Sequence, residues 1–197
     1  MYIVAVVGSY RRGYTIDTAV DEVLRGARDA GAKTEKIVLL DKHIEFCTNC
    51  RNCTQSPGKT RGQCSINDDM SGIIDSLEAA DAIVFASPIN FFCITAIMKR
   101  FIERLVCFGY WPWSTFPKNR LDKGNKKALL IASSACPTLL GRVAFRGVFK
   151  VMSAAAQCLG SGEIKRLYFG LAARTANQTL DDKHRRRAYL AGRKLMG

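Results

Sequence analysis

Four cysteines, Cys47, Cys50, Cys53 and Cys64, fall within eighteen residues of one another. Cys-x2-Cys-x2-Cys is compact enough for three thiolates to meet one iron–sulfur cluster, and a later cysteine can complete the set. Ten residues separate Cys53 from Cys64, and Pro57 and Gly58 among them allow the chain to loop back. Four thiolates also suit a tetrahedral structural zinc, and reduced, metal-free thiols are the third reading. His43 lies four residues before Cys47 and reads as a solvated loop histidine. The other four cysteines, Cys93, Cys107, Cys136 and Cys158, sit in apolar stretches and read as small core residues.

A second chemistry is written in Gly8-Ser9-Tyr10-Arg11-Arg12-Gly13-Tyr14-Thr15. Free backbone N–H groups, hydroxyls, two guanidiniums and a helix start converge there, as a phosphate dianion requires. The loop is neither G-x-G-x-x-G nor a Walker A sequence, and a capped turn with exposed arginines is the simpler alternative. Ser87-Pro88-Ile89-Asn90-Phe91-Phe92 offers a rigid turn, an amide and aromatic rings for the edge and face of a flat heterocycle. Ser133-Ser134-Ala135-Cys136-Pro137 can bring hydroxyls and backbone groups to the same ring. One loop suited to phosphate and two suited to a flat ring favour a mononucleotide. With only His43 and His184 in the chain, a Cys–His hydrolase is not expected.

Those loops need elements to hold them. Apolar runs at 2–7, 82–86 and 128–132 read as strands, the first buried on both faces, and the stretches 34–40 and near 163–169 read as two more. Helical patterns open near Thr15, after Asp68-Asp69, from about Ile94 to Cys107, near 143–158 and near 181–195. Five strands alternating with five helices predict an α/β fold, an open parallel sheet with helices on both faces. Ligands of such sheets bind at the carboxyl ends of the strands, where the strand order reverses. The segment 41–66 has no period and reads as a long functional loop, and 109–125 as an aromatic loop. One alternation predicts a single domain over residues 1–197.

The 197 residues carry 30 Lys plus Arg against 17 Asp plus Glu, a net charge of +13. Residues 1–100 are balanced and residues 101–197 hold the excess, a field that would steer an anionic partner. The run Lys183-His184-Arg185-Arg186-Arg187 reads as an exposed face of the last helix; no nucleic-acid motif accompanies it. No apolar run reaches the roughly 20 residues of a membrane span. Met1 to Val7 is too short for a signal peptide and has no basic start. A cytoplasmic chain without a disulfide framework or a membrane partner is expected.

Taken together, the three loops, the cysteine segment through Asn67-Asp68-Asp69-Met70 and the run Met98-Lys99-Arg100-Phe101-Ile102-Glu103-Arg104 resemble the flavodoxin-like NAD(P)H-dependent FMN reductases. Within that group the resemblance is to the iron–sulfur flavoproteins. It implies the strand order 2-1-3-4-5 and bound FMN, with phosphate on Ser9, Arg11, Tyr14 and Thr15. The isoalloxazine would then lie against Pro88, Ile89, Asn90 and Phe91, beside Ser133 and Ser134. Relative to the commoner pattern the first loop is one residue shorter, Tyr14 stands where Asn is frequent, and Asn90 where an aromatic is frequent. The implied activity is electron transfer from NAD(P)H or reduced ferredoxin to a small acceptor such as a flavin or quinone. A [4Fe–4S] cluster on Cys47, Cys50, Cys53 and Cys64 is implied as a relay, with zinc less favoured, and the assembly as a homodimer or homotetramer. Loop 109–117 would shield the flavin or line a subunit interface. The rival class is a non-enzymatic module docking nucleic acid or an acidic protein through a zinc loop and basic face.

Overall fold

The computed structural model describes all 197 residues. Five parallel strands form the main sheet: β1 (Tyr2–Val7), β2 (Lys33–Val38), β3 (Ala82–Asn90), β4 (Gly124–Ser133) and β5 (Ser161–Phe169). Their order is β2-β1-β3-β4-β5, as the resemblance implied. The central strands are apolar on both faces because helices cover both. The edge strands instead carry charge, Lys33, Glu35 and Lys36 on β2 and Glu163, Lys165 and Arg166 on β5, which guards unpaired edges.

The period of two divides β1 between two cores. Ile3, Ala5 and Val7 pack with α1 (Thr15–Arg28) and α6 (Asp182–Met196). Val4 and Val6 pack on the opposite face with α2 (Met70–Ala79), α3 (Ala96–Arg104) and α5 (Arg146–Cys158). α1 and α6 touch backbone to backbone at two glycines. A Cβ on Gly26 would lie 2.1 Å from the Tyr189 carbonyl oxygen, and one on Gly192 would lie 1.9 Å from that of Val23.

Several boundaries differ from the sequence reading. β3 does not stop at Ser87-Pro88 but continues to Asn90, turns through Phe91 and Phe92, and returns as Cys93–Ile94 antiparallel to its own end. The single helix expected near 143–158 is two, a separate α4 (Thr138–Ala144) preceding α5. Phe145 breaks them by leaving helical geometry and turning its ring toward Phe92 and Tyr168, with centroids 6.0 and 6.5 Å away. α3 ends at Arg104 and a tighter turn, Leu105–Phe108, continues it. The cysteine segment is a loop, as expected, with one short turn at Asn52–Thr54. No helix is long and apolar enough to cross a membrane.

Candidate functional site

Strand order reverses at β1, whose neighbours are β2 on one side and β3 on the other. At the carboxyl ends there, a cleft of about 300 Å³ is lined by Ser9, Arg11, Tyr14, Thr15, Pro88, Ile89, Asn90, Ser133 and Ser134. Phe91 does not join them. Its backbone φ of +45° swings the ring out of the cleft into solvent. Three lining residues carried no signal in the sequence: Ala172, Ala173 and Gln178, from the loop between β5 and α6.

The loops are tied to one another beneath the cleft. The Thr95 hydroxyl donates to the Gly8 carbonyl at 2.6 Å, and the Thr95 N–H donates to the Ser87 hydroxyl at 3.1 Å. The Tyr10 hydroxyl accepts from the Ile97 N–H at 3.2 Å, which pins the β1 loop to the start of α3. On the other wall, the Ser134 and Tyr168 hydroxyls lie 2.6 Å apart, and the Cys136 N–H donates to Ser134 Oγ at 3.0 Å. Burial raises the Tyr168 hydroxyl above its ordinary pKa, so it stays protonated.

At the phosphate-suited end, Tyr14 precedes α1 in extended backbone and gives it no side-chain cap. The first-turn N–H groups of α1 are therefore free to donate to an anion. Ser9 Oγ accepts from the Arg11 N–H at 3.2 Å and donates to the Arg11 carbonyl at 3.0 Å. Asp17 takes the Gly13 N–H at 2.6 Å, and Lys36 neutralises its charge at 2.7 Å.

The β5–α6 loop closes over this end like a strap. The Arg11 guanidinium donates to the Ala176 carbonyl and lies 3.7 Å over the Tyr14 ring. The Tyr14 hydroxyl donates to Asn177 Oδ1 at 2.9 Å, and the Thr15 hydroxyl to the Gln178 carbonyl at 3.2 Å. Gln178 braces the strap internally, accepting from the Arg174 N–H at 2.7 Å and donating to the Leu171 carbonyl at 2.8 Å.

Cys47, Cys50, Cys53 and Cys64 all face a second cavity of about 170 Å³, walled also by Arg104 and Trp111. No three His, Cys, Asp or Glu side chains converge closely enough to hold a metal ion as they stand. Burial, reinforced by the other three thiols, raises the Cys53 pKa, whereas the Asn52 N–H and the Ser65 hydroxyl lower that of Cys50. Arg104 is buried beside this cavity. It pairs with the buried Asp68, donates to the Glu45 carbonyl at 2.9 Å and reaches Cys64 Sγ at 3.5 Å. Burial alone would raise the Asp68 carboxyl, but the Arg104 guanidinium and the N–H groups of Glu45 and Met70 outweigh it and hold the pKa below its ordinary value.

His43 faces Glu45 at 2.6 Å on the surface rather than the thiols. The aromatic loop covers the thiol cavity, not the cleft: Arg51 is sandwiched 4.0 Å from both Trp111 and Trp113. Of the remaining cysteines, only Cys107 is fully buried, its pKa pushed up to about 12 by desolvation. Cys136 and Cys158 are half-buried and Cys93 is exposed beside the Phe91–Phe92 turn, so none of those three is the core residue expected. The basic run on α6 is partly structural as well. His184 contacts Asp181, Arg185 bonds the Leu180 carbonyl and Glu22, and Arg187 bonds the Tyr168 carbonyl.

The sheet order and the cleft at its reversal define a flavodoxin-like protein. Residues 1–162 match the family of NADPH-dependent FMN reductases, and the chain belongs to that family. It is 32% identical over 112 residues to an iron-sulfur flavoprotein of Archaeoglobus fulgidus, covering 57% of this chain and 49% of that one. An iron-sulfur flavoprotein of Methanocaldococcus jannaschii is also 32% identical, over 104 residues, 53% of this chain and 51% of that one. The chain thus spans about half the length of the curated relatives it matches. Among solved structures, an FMN-dependent NADH-azoreductase from Bacillus anthracis in complex with FMN superposes with a TM-score of 0.72 at 15% identity. That match covers 100% of this chain and 99% of the other, a likeness of fold.

Proposed function

We propose that this chain binds FMN in the cleft and acts as an oxidoreductase, taking electrons from NAD(P)H or reduced ferredoxin and passing them to a small acceptor such as a flavin or quinone. The observation that carries this reading is the convergence, at the strand-order reversal, of an uncapped helix start with three loops, two of them tied together by Thr95 and Tyr10 and the third held by Tyr168. The residues fit the group. Ser9, Thr15, Arg11 and the first turn of α1 offer donors for a phosphate, and Pro88, Ile89 and Asn90 form a firm wall for a flat ring. Bound there, FMN would supply hydride acceptance at its ring and return of electrons to an acceptor. The chain itself orients the ring between the β3 and β4 exits and keeps charge at the phosphate end. No side-chain acid–base pair is needed for that chemistry.

A second reading concerns the thiol cavity. Four cysteines facing one space, with the Arg104 guanidinium 3.5 Å from Cys64 Sγ, support a metal group held by Cys47, Cys50, Cys53 and Cys64. Among such groups, a [4Fe–4S] cluster is favoured over zinc by the compact Cys-x2-Cys-x2-Cys spacing.

An anaerobic ultraviolet–visible spectrum with iron and zinc quantified on the same sample tests both readings. Flavin bands with about four irons per chain support both. Flavin bands without iron retain the FMN reading alone. A colourless protein that takes up no added FMN overturns the first reading.

A further inference from the structure

Tyr168 does not line the cleft, yet its hydroxyl decides what one wall of the cleft offers a ligand. The residue is 2% exposed and sits near the end of β5, beneath α4. A Cβ on Gly141 would lie 1.9 Å from the Tyr168 oxygen, so the hydroxyl packs directly on the α4 backbone. A phenol buried in this way must place its hydrogen on an acceptor of the chain. Two are in reach: Ser134 Oγ at 2.6 Å and the Cys136 carbonyl at 3.3 Å. Hydroxyl-to-oxygen bonds centre on about 2.7–2.8 Å, and the phenol is the more acidic of the two hydroxyls, so Tyr168 donates to Ser134.

That direction settles the hydrogen bonding of Ser134. A serine oxygen accepts at two lone pairs and donates a single hydrogen. The Cys136 N–H, at 3.0 Å, takes one lone pair and the Tyr168 hydroxyl takes the other. The backbone of Ser134 is also held: its N–H donates to the Phe169 carbonyl at 3.2 Å, and its carbonyl accepts from the Ala172 N–H at 2.9 Å. Only the Ser134 hydroxyl hydrogen is left, and the open side of the residue is the cleft it lines. Ser134 therefore presents a donor to whatever fills the cleft. Turning that hydrogen back toward Tyr168 would oppose two donors, unless the phenol gave up its 2.6 Å bond for the longer contact to Cys136.

We infer that Tyr168 is a positioning residue for the flavin reaction: by donating to Ser134 it holds the Ser134 hydroxyl as a fixed donor to the ring in the cleft, favouring the reduced, negatively charged ring over the oxidised, neutral one. The inference rests on the FMN reading of the cleft. A hydrogen bond to an ionised acceptor is about twice as strong as one to a neutral acceptor. A donor already aimed at the ring gains that difference without reorganising as charge arrives. Tyr168 touches neither ring nor substrate and acts only through Ser134.

The test is an anaerobic spectroelectrochemical titration of the FMN-loaded full chain at mildly alkaline pH, where the reduced ring carries its charge, followed at the flavin bands. Ser134→Ala should weaken reduced FMN about tenfold more than oxidised FMN, which lowers the two-electron potential by about 30 mV. Tyr168→Phe keeps the ring against Phe145 and Gly141 but frees the Ser134 hydroxyl to turn. It should lower the potential in the same direction by about threefold, or about 15 mV. Added to Ser134→Ala, the same change should lower the potential no further, because the two residues act as one unit. FMN bound to Tyr168→Phe at the wild-type potential overturns the inference and leaves the FMN reading standing. An equal fall with and without the Ser134 hydroxyl also overturns it, since Tyr168 would then act through packing. If Tyr168→Phe does not fold, Ser134→Ala decides alone: a potential at or above that of the wild type overturns the inference. A wild type that takes up no FMN overturns the FMN reading and this inference with it.

Discussion

Arg11 gives the sharpest test of the cleft, because its partners without a nucleotide set the size of the effect. Its guanidinium already donates to the Ala176 carbonyl and lies over the Tyr14 ring. A phosphate therefore exchanges one acceptor for a better one. Hydrogen bonds to neutral groups contribute about 0.5–1.5 kcal/mol and those to charged groups about 1.5–3 kcal/mol, so the net gain on binding is about 1–1.5 kcal/mol. Arg11→Ala should accordingly weaken FMN about tenfold. Riboflavin, which has no phosphate, should be unaffected. Asn177→Ala should act in the opposite direction. It frees the Tyr14 hydroxyl from the strap at the cost of one exposed neutral hydrogen bond, and FMN should tighten by up to about fivefold. Titration of the apoprotein with each flavin, followed by quenching of flavin fluorescence, measures all of these. Equal weakening of FMN and riboflavin by Arg11→Ala, or no weakening of FMN, would refute the assignment of this end of the cleft to phosphate.

Three further outcomes are expected. Arg104→Met leaves Asp68 buried without its partner and should cost about 3–5 kcal/mol in urea unfolding, with Asp68→Asn added in the same chain recovering part of the loss. Because the folded state holds Asp68 below its ordinary 3.8, its contribution is complete above that pH and is lost as pH falls through the lower folded value. Wild-type stability should therefore decline steeply below about pH 4, and Arg104→Met should flatten that decline. In chelator-treated protein near neutral pH, iodoacetamide should modify Cys50, whose pKa is lowered, before Cys53 and Cys107, whose pKa values are raised. Peptide mapping by mass spectrometry reads the order, and early labelling of Cys107 would contradict the burial on which it rests. Finally, capture of NAD(P)H should slow as ionic strength rises, since residues 101–197 carry the whole positive excess. A salt-independent stopped-flow rate would remove steering from the account.

The sequence by itself determined the sheet and the position of the site on it. Strands buried on both faces must be unbroken apolar runs, and helices covering them must carry an apolar stripe, so Tyr2–Val7, Ala82–Ala86 and Ala128–Ala132 were legible from residue types alone. The β1–α1 loop was legible because its donors lie next to one another in the chain. Tertiary structure decided the rest. The strap meets Arg11, Tyr14 and Thr15 across about 160 positions of sequence and has no composition to mark it. Phe91 reads as a ring contact in sequence, yet the left-handed turn at its own Cα sends it into solvent. Asp68 reads as a helix-start charge and Arg104 as one more residue of the Met98–Arg104 run until the cysteine loop folds over them and removes the water. Phe145 divides one helical pattern into two because its ring has somewhere to go, between Phe92 and Tyr168. Local periodicity records which face of an element is buried. Which residues meet across loops depends on how those loops close, and that is fixed only when the elements pack.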